Sequence, residues 1–85
     1  MDIEQRVEIL RQMIAQTDPQ PHAVVIKADS EHAQIRIEID VVQECDARWW
    51  IGLLKTWIPA HVITVTDVMT DVRCWRLQVE MDVLP

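Results

Sequence analysis

Two stretches of this chain alternate apolar and polar residues, the first of them without a slip. In the first, Ala33, Ile35, Ile37, Ile39 and Val41 point one way, and Gln34, Arg36, Glu38 and Asp40 the other. In the second, running from Val72 to Leu84, Trp75, Leu77, Val79, Met81 and Val83 take one side and Arg76, Gln78, Glu80 and Asp82 the opposite one. A period of two marks a half-buried β-strand, because successive side chains leave opposite faces of a pleated backbone. A slip of one residue would turn the whole apolar set toward water, so these segments specify their own register. A chain that contains them must also supply a cover for one face of a sheet.

That cover is written in two helical segments. Between Asp2 and Gln16, residues Ile3, Val7, Leu10 and Ile14 fall on one narrow stripe, and Asp2 and Glu4 bring negative charge to the positive end of the helix dipole. Thr17-Asp18-Pro19-Gln20-Pro21 stops this helix, since proline lacks the amide donor and restricts its predecessor. A second helix is predicted from Cys45 or Asp46 to about Trp57, with Ala47, Trp50, Ile51, Leu54 and Ile58 on one face and Pro59 after its end. Short β-branched runs, His22 to Ala28 and His61 to Val68, precede the two long strands. Asp29 to His32 and Met69 to Asp71 supply the turns. The order helix-strand-strand thus occurs twice in one domain spanning residues 1–85. The expected fold is an α+β two-layer sandwich, ferredoxin-like in the circularly permuted order αββαββ. Its antiparallel sheet has four strands, with both helices on one face. The two long strands should meet in its middle and the two short ones form its edges.

Composition narrows the function classes. Eight Lys and Arg against fourteen Asp and Glu give a net charge of −6. That disfavours a nucleic-acid surface, which needs clustered cations for phosphates, and an anionic membrane surface for the same reason. No apolar run approaches the roughly 20 residues of a membrane span, and no leader pattern is present. Catalytic chemistry has no candidate. Ser30 is the lone serine and lies in a predicted turn, Gly52 is the only glycine, and His22, His32 and His61 have no metal-ligand spacing with Cys or carboxylate. Glu38 and Glu80 alternate with Arg36 and Arg76, which predicts neutralised partners rather than a proton-transferring carboxylate. No enzyme, cofactor, metal or small-molecule substrate is expected. Cys45 belongs on the covered side and Cys74 on the open side, too far apart for the Cα separation of a disulfide, so both should be free thiols.

The features left over are surfaces. On the second helix Trp49, Leu53 and Trp57 adjoin the core stripe, and the apolar arc then reaches about twice the roughly 100° that a surface helix normally buries. Ile9 and Met13 form a similar flank on the first helix. Either these flanks fill a groove between the helices, or Trp49 and Trp57 anchor a partner. Gly52, near Arg48 and Thr56 on the polar side, hints at a close backbone approach from outside. Both edge strands lack a bulge or a mid-strand proline, and Lys27 is the only Lys or Arg in either, so each invites pairing with another chain. Val25, Lys27, Val62 and Thr64 are the edge residues expected at such an interface, beside Trp49, Leu53 and Trp57 on the helix.

The stretch Ala33 to Leu84 carries a family resemblance. The alternating "AQIRIEIDV", the Trp/Leu-rich "ARWWIGLLKTWIP", the β-branched "HVITVTDV" and the final "RCWRLQVEMDVL" together resemble the periplasmic domain of PilO- and GspM-type proteins. These are inner-membrane assembly-platform components of type IV pili and type II secretion. The resemblance implies a noncatalytic dimerisation or scaffold domain whose partners are itself or a related secretion or pilus subunit. It would sit in the periplasm as part of an inner-membrane protein, this fragment making no membrane contact of its own. Two other readings stand beside it. One is a small acidic stand-alone adaptor or inhibitor of phage type, in which case the chain would be cytoplasmic. The other is a BolA-like regulator, which shares the helix-strand-strand opening but would bring a basic surface and a C-terminal histidine that are missing here.

Overall fold

Asp2 opens the first helix from outside it. Its carboxylate accepts the Gln5 amide at 2.8 Å, while the Gln5 side chain accepts the Asp2 amide at 3.1 Å, a reciprocal cap that satisfies two helix-end donors. Helix α1 therefore runs Ile3–Ala15, with Asp2 as its cap rather than in its first turn. At the other end Thr17 Oγ1 donates to the Met13 carbonyl at 2.6 Å. The Gln20 amide reaches back to the Ile14 and Ala15 carbonyls at 3.1 and 3.0 Å. Free helix-end carbonyls are thereby satisfied within the chain.

The computed structural model describes residues 2–58 and 62–83, so Pro59, His61 and Leu84, which bear on the sequence reading, lie outside it. After α1 come strand β1 (Ala23–Asp29), strand β2 (Gln34–Val41), helix α2 (Glu44–Trp57), strand β3 (Ile63–Met69) and strand β4 (Arg73–Asp82). The class is α+β, two helices with one four-stranded antiparallel sheet. Its order is β1-β2-β4-β3, which seats the two long strands side by side at the centre.

The central register follows the sequence alternation. Ile35, Ile37, Ile39 and Val41 stand opposite Met81, Val79, Leu77 and Trp75, while Gln34, Arg36, Glu38 and Asp40 stand opposite Asp82, Glu80, Gln78 and Arg76. Ile35, Ile37, Ile39 and Leu77 are wholly buried and join Leu10, Ile14, Ala47, Trp50 and Leu54 in a single core cluster. Each such aliphatic side chain contributes about 1.5–3 kcal/mol on leaving water. Trp50 also ties the loop after α1 to α2, its indole N–H donating to the Pro19 carbonyl at 3.1 Å.

Two departures from the sequence pattern have physical causes. Ala33 does not begin β2; it closes the β1–β2 turn in a left-handed conformation, φ 50°, where its carbonyl accepts the Val83 amide. Val65 stands opposite buried Leu77, yet it is 45% exposed. The reason is uneven cover: α1 lies against β1 and α2 against β4 and β2, and β3 has at most a marginal contact with either helix.

Candidate interaction surfaces

β3 is the least protected element. It is hydrogen-bonded to β4 along one side only, so among the described residues its other margin presents a row of unpaired backbone donors and acceptors. Ile63 to Met69 contains no proline and no lysine. Val65 and Met69 along it and Val62 just before it are exposed, Val62 and Met69 strongly so. One charged contact lies on the strand, an exposed ion pair between Asp67 and Arg73. The Arg73 guanidinium holds the Asp67 carboxyl below the usual carboxylate range. At the opposite margin β1 differs: Lys27 sits mid-strand and α1 lies against it, though Val24 and Val25 remain exposed.

Across β2 and β4 the open side of the sheet forms a ladder of matched polar pairs. Arg76 bonds both oxygens of Asp40, the Gln78 amide donates to Glu38 at 3.0 Å, Arg36 pairs with Glu80 at 2.5 Å, and the Gln34 amide donates to Asp82 at 3.1 Å. All four carboxylates on these rungs have a partner. Val62 and Thr64 flank this face, lining with Arg36, Gln78 and Glu80 a shallow concavity of about 530 Å³. Val25 and Lys27 flank it from β1, opposite Glu38 and Arg36.

The helix residues do not share one surface. Trp49 is 43% exposed and lines a shallow outer depression with Arg48, Gly52, Leu53 and Thr56. Trp57 is half-buried and meets Trp50 edge-to-face at 6.2 Å between ring centroids. It lines a different feature, a slot of about 370 Å³ shared by α1 and α2. The two tryptophans thus differ in setting, Trp49 exposed on the outer side of α2 and Trp57 turned toward α1. Nothing in the described structure approaches Gly52, where an added Cβ would meet open space.

That slot is what sequence reasoning missed. Ile9, Leu10 and Met13 form one wall, Trp57 and Ile58 the other, and Met81 of β4 contributes from the sheet. Ile9 and Met13 mark a flank in the sequence, but no periodicity reports how far two helices stand apart. Arg6 also lines the slot, and its buried Nε has no hydrogen-bond partner among the described residues. An unsatisfied buried donor of this kind typically costs about 1–3 kcal/mol.

The remaining chemistry-bearing residues have local roles. Cys45 is exposed and Cys74 buried, both free thiols. Cys74 is on the open side by register, yet the β3–β4 turn encloses it, its Sγ 3.6 Å from the Val72 carbonyl and 3.8 Å from Thr70 Oγ1. His22 pairs with Asp71 at 2.8 Å, and that bond, then one from Thr70, keeps the Asp71 carboxyl below its ordinary range. Asp29, Glu31 and His32 cluster in the β1–β2 turn, all exposed. Asp29 already accepts the Glu31 and His32 amides and the His32 ring, so the cluster closes a turn. Among the described residues no helix is long and apolar enough to cross a membrane. Comparison with protein-family models, with curated proteins and with solved structures gives no match.

Proposed function

We propose that this chain is a noncatalytic protein-interaction domain that joins another chain through the open margin of β3. The observation that carries the reading is the conjunction found there: unpaired backbone groups, exposed Val62, Val65 and Met69, and no proline, lysine or helix to blunt the strand. Soluble proteins manage such edges, and an unmanaged one is a template for strand addition. A second copy pairing antiparallel along β3 would make an eight-stranded sheet with a closed symmetry.

The αββαββ element order and the strand order β1-β2-β4-β3 support a permuted ferredoxin-like two-layer sandwich. With the sequence resemblance, they favour a dimerisation or scaffold domain of an inner-membrane assembly platform for type II secretion or type IV pili, facing the periplasm. The partner is then a second copy or a related subunit of the same machine. An upstream span of about 20 apolar residues in the full gene would support the platform role. An 85-residue reading frame standing alone would favour the acidic adaptor instead.

Light scattering across a concentration series tests the edge. The wild-type chain should move from monomer to dimer, and Val65→Lys with Met69→Lys should hold it monomeric with unchanged circular dichroism. A wild-type chain that stays monomeric at the highest concentration overturns self-pairing.

A further inference from the structure

The slot between the helices has three properties that belong together. Its walls are apolar and adaptable, with Met13 and Met81 among six hydrophobic residues. At about 370 Å³ it falls within the range of roughly 300–1,000 Å³ typical of small-ligand sites. Its single charged lining residue is Arg6, and no acidic side chain lines it among the described residues, although the chain as a whole carries a charge of −6.

The helix periodicity accounts for that local reversal of charge. On α1, Gln5, Arg6, Ile9, Gln12 and Met13 share one side, while Glu4, Glu8 and Arg11 fall on the other. The acidic residues therefore face away from α2. Among the described residues the buried Nε of Arg6 has no acceptor, whereas the guanidinia of Arg36, Arg48, Arg73 and Arg76 all grip carboxylates. A guanidinium takes a carboxylate through two parallel hydrogen bonds, and an incoming anion would give Arg6 the partner it lacks.

We infer that this slot binds a single-chain amphiphile with a terminal carboxylate, a medium-chain fatty acid, with its tail between α1 and α2 and its headgroup on Arg6. The sequence reading, which expects no small-molecule substrate, does not foresee such a ligand. The inference is independent of the β3 edge.

Dodecanoate, dodecylamine and dodecanol are the probes, with binding read by calorimetry and by the methyl NMR signals of the methionines. Dodecanoate should bind and shift Met13 and Met81 while leaving Met69, on the far edge of the sheet, in place. The amine and the alcohol should bind at least roughly tenfold more weakly, the discrimination expected of a charge-assisted pair. Arg6→Met keeps the apolar stem and removes the orphan nitrogen, so the variant should fold at least as stably and lose the preference for dodecanoate. Equal binding of all three probes, no binding of dodecanoate, or shifts at Met69 instead of Met13 and Met81 would each overturn the assignment. An acidic apolar peptide that binds the slot where dodecanoate does not would overturn it in favour of a protein partner.

Discussion

Arg76 grips Asp40 through both carboxylate oxygens, Nε on Oδ1 at 2.8 Å and Nη2 on Oδ2 at 3.0 Å. Asp40 is only 5% exposed, although it lies on the polar side of the sheet, and its hydrogen bonds, then its charge, lift the Arg76 guanidinium above the ordinary arginine value. Two rungs away Arg36 and Glu80 form a similar pair with both side chains about half exposed. Asp40→Ala should therefore destabilise the fold by about 1.5–3 kcal/mol, the range for hydrogen bonds to a charged group. Glu80→Ala should cost no more than about 1 kcal/mol. Urea denaturation of both variants measures the contrast, and equal losses would show that burial does not separate the rungs.

How much of this was legible beforehand depends on the kind of signal. Parity along β2 and β4 sets which side of Ile37 and Leu77 faces the core, because a strand has only two sides and one of them is apolar from Ile35 to Val41 and from Trp75 to Met81. The matched pairs Arg36–Glu80 and Asp40–Arg76 follow from parity plus register. Val65 belongs to the same pattern, but its exposure depends on where helices stop covering the sheet, a spacing that no residue encodes alone. Ala33 continued the alternation in sequence, and only the turn geometry took it out of the strand. The burial of Cys74 likewise comes from the β3–β4 turn folding over it. The slot at Arg6 arises between elements, so a reading of each helix separately could find its walls and not the space between them.

Acid should weaken the fold through three aspartates. Asp29 is held below the ordinary carboxylate range by His32, Asp67 by Arg73, and Asp71 by His22 and then Thr70. Their folded values lie below the unfolded value of about 3.9. Their contribution is thus complete above that pH and is lost as pH falls through the folded values. All three are exposed, so solvent screens the effect and the loss is gradual. The urea midpoint should decline between about pH 4.5 and about pH 2, with a shallower decline in Asp67→Asn. A midpoint that rises on acidification would contradict the pairing.

The two thiols should separate cleanly by reactivity. Cys45 is exposed at the start of α2, whereas Cys74 is 1% exposed beneath the β3–β4 turn. An accessible thiolate is the nucleophile that attacks a thiol reagent. One equivalent should react promptly in the native protein and the second only in denaturant. Cys45→Ser should abolish the fast phase, and prompt labelling of both cysteines would mean that the turn does not enclose Cys74.

Alanine and glycine occupy each other's favoured positions at two sites, which sets up a paired substitution. Ala33 holds a φ of 50°, a left-handed conformation that glycine adopts without the steric cost of a Cβ. Ala33→Gly should raise stability by about 0.5–1 kcal/mol once the greater freedom of glycine in the unfolded chain is deducted. Gly52 sits in the exposed interior of α2 with open space where its Cβ would stand, and Gly52→Ala should add about 1 kcal/mol. The sites lie on separate elements with no shared partner, so the double variant should show the sum. If Gly52 serves a partner through close approach, Gly52→Ala will stabilise the free domain and weaken its association in the same light-scattering series. A loss of stability in Gly52→Ala would mean that the α2 backbone there is not the regular, solvent-facing helix seen in the fold.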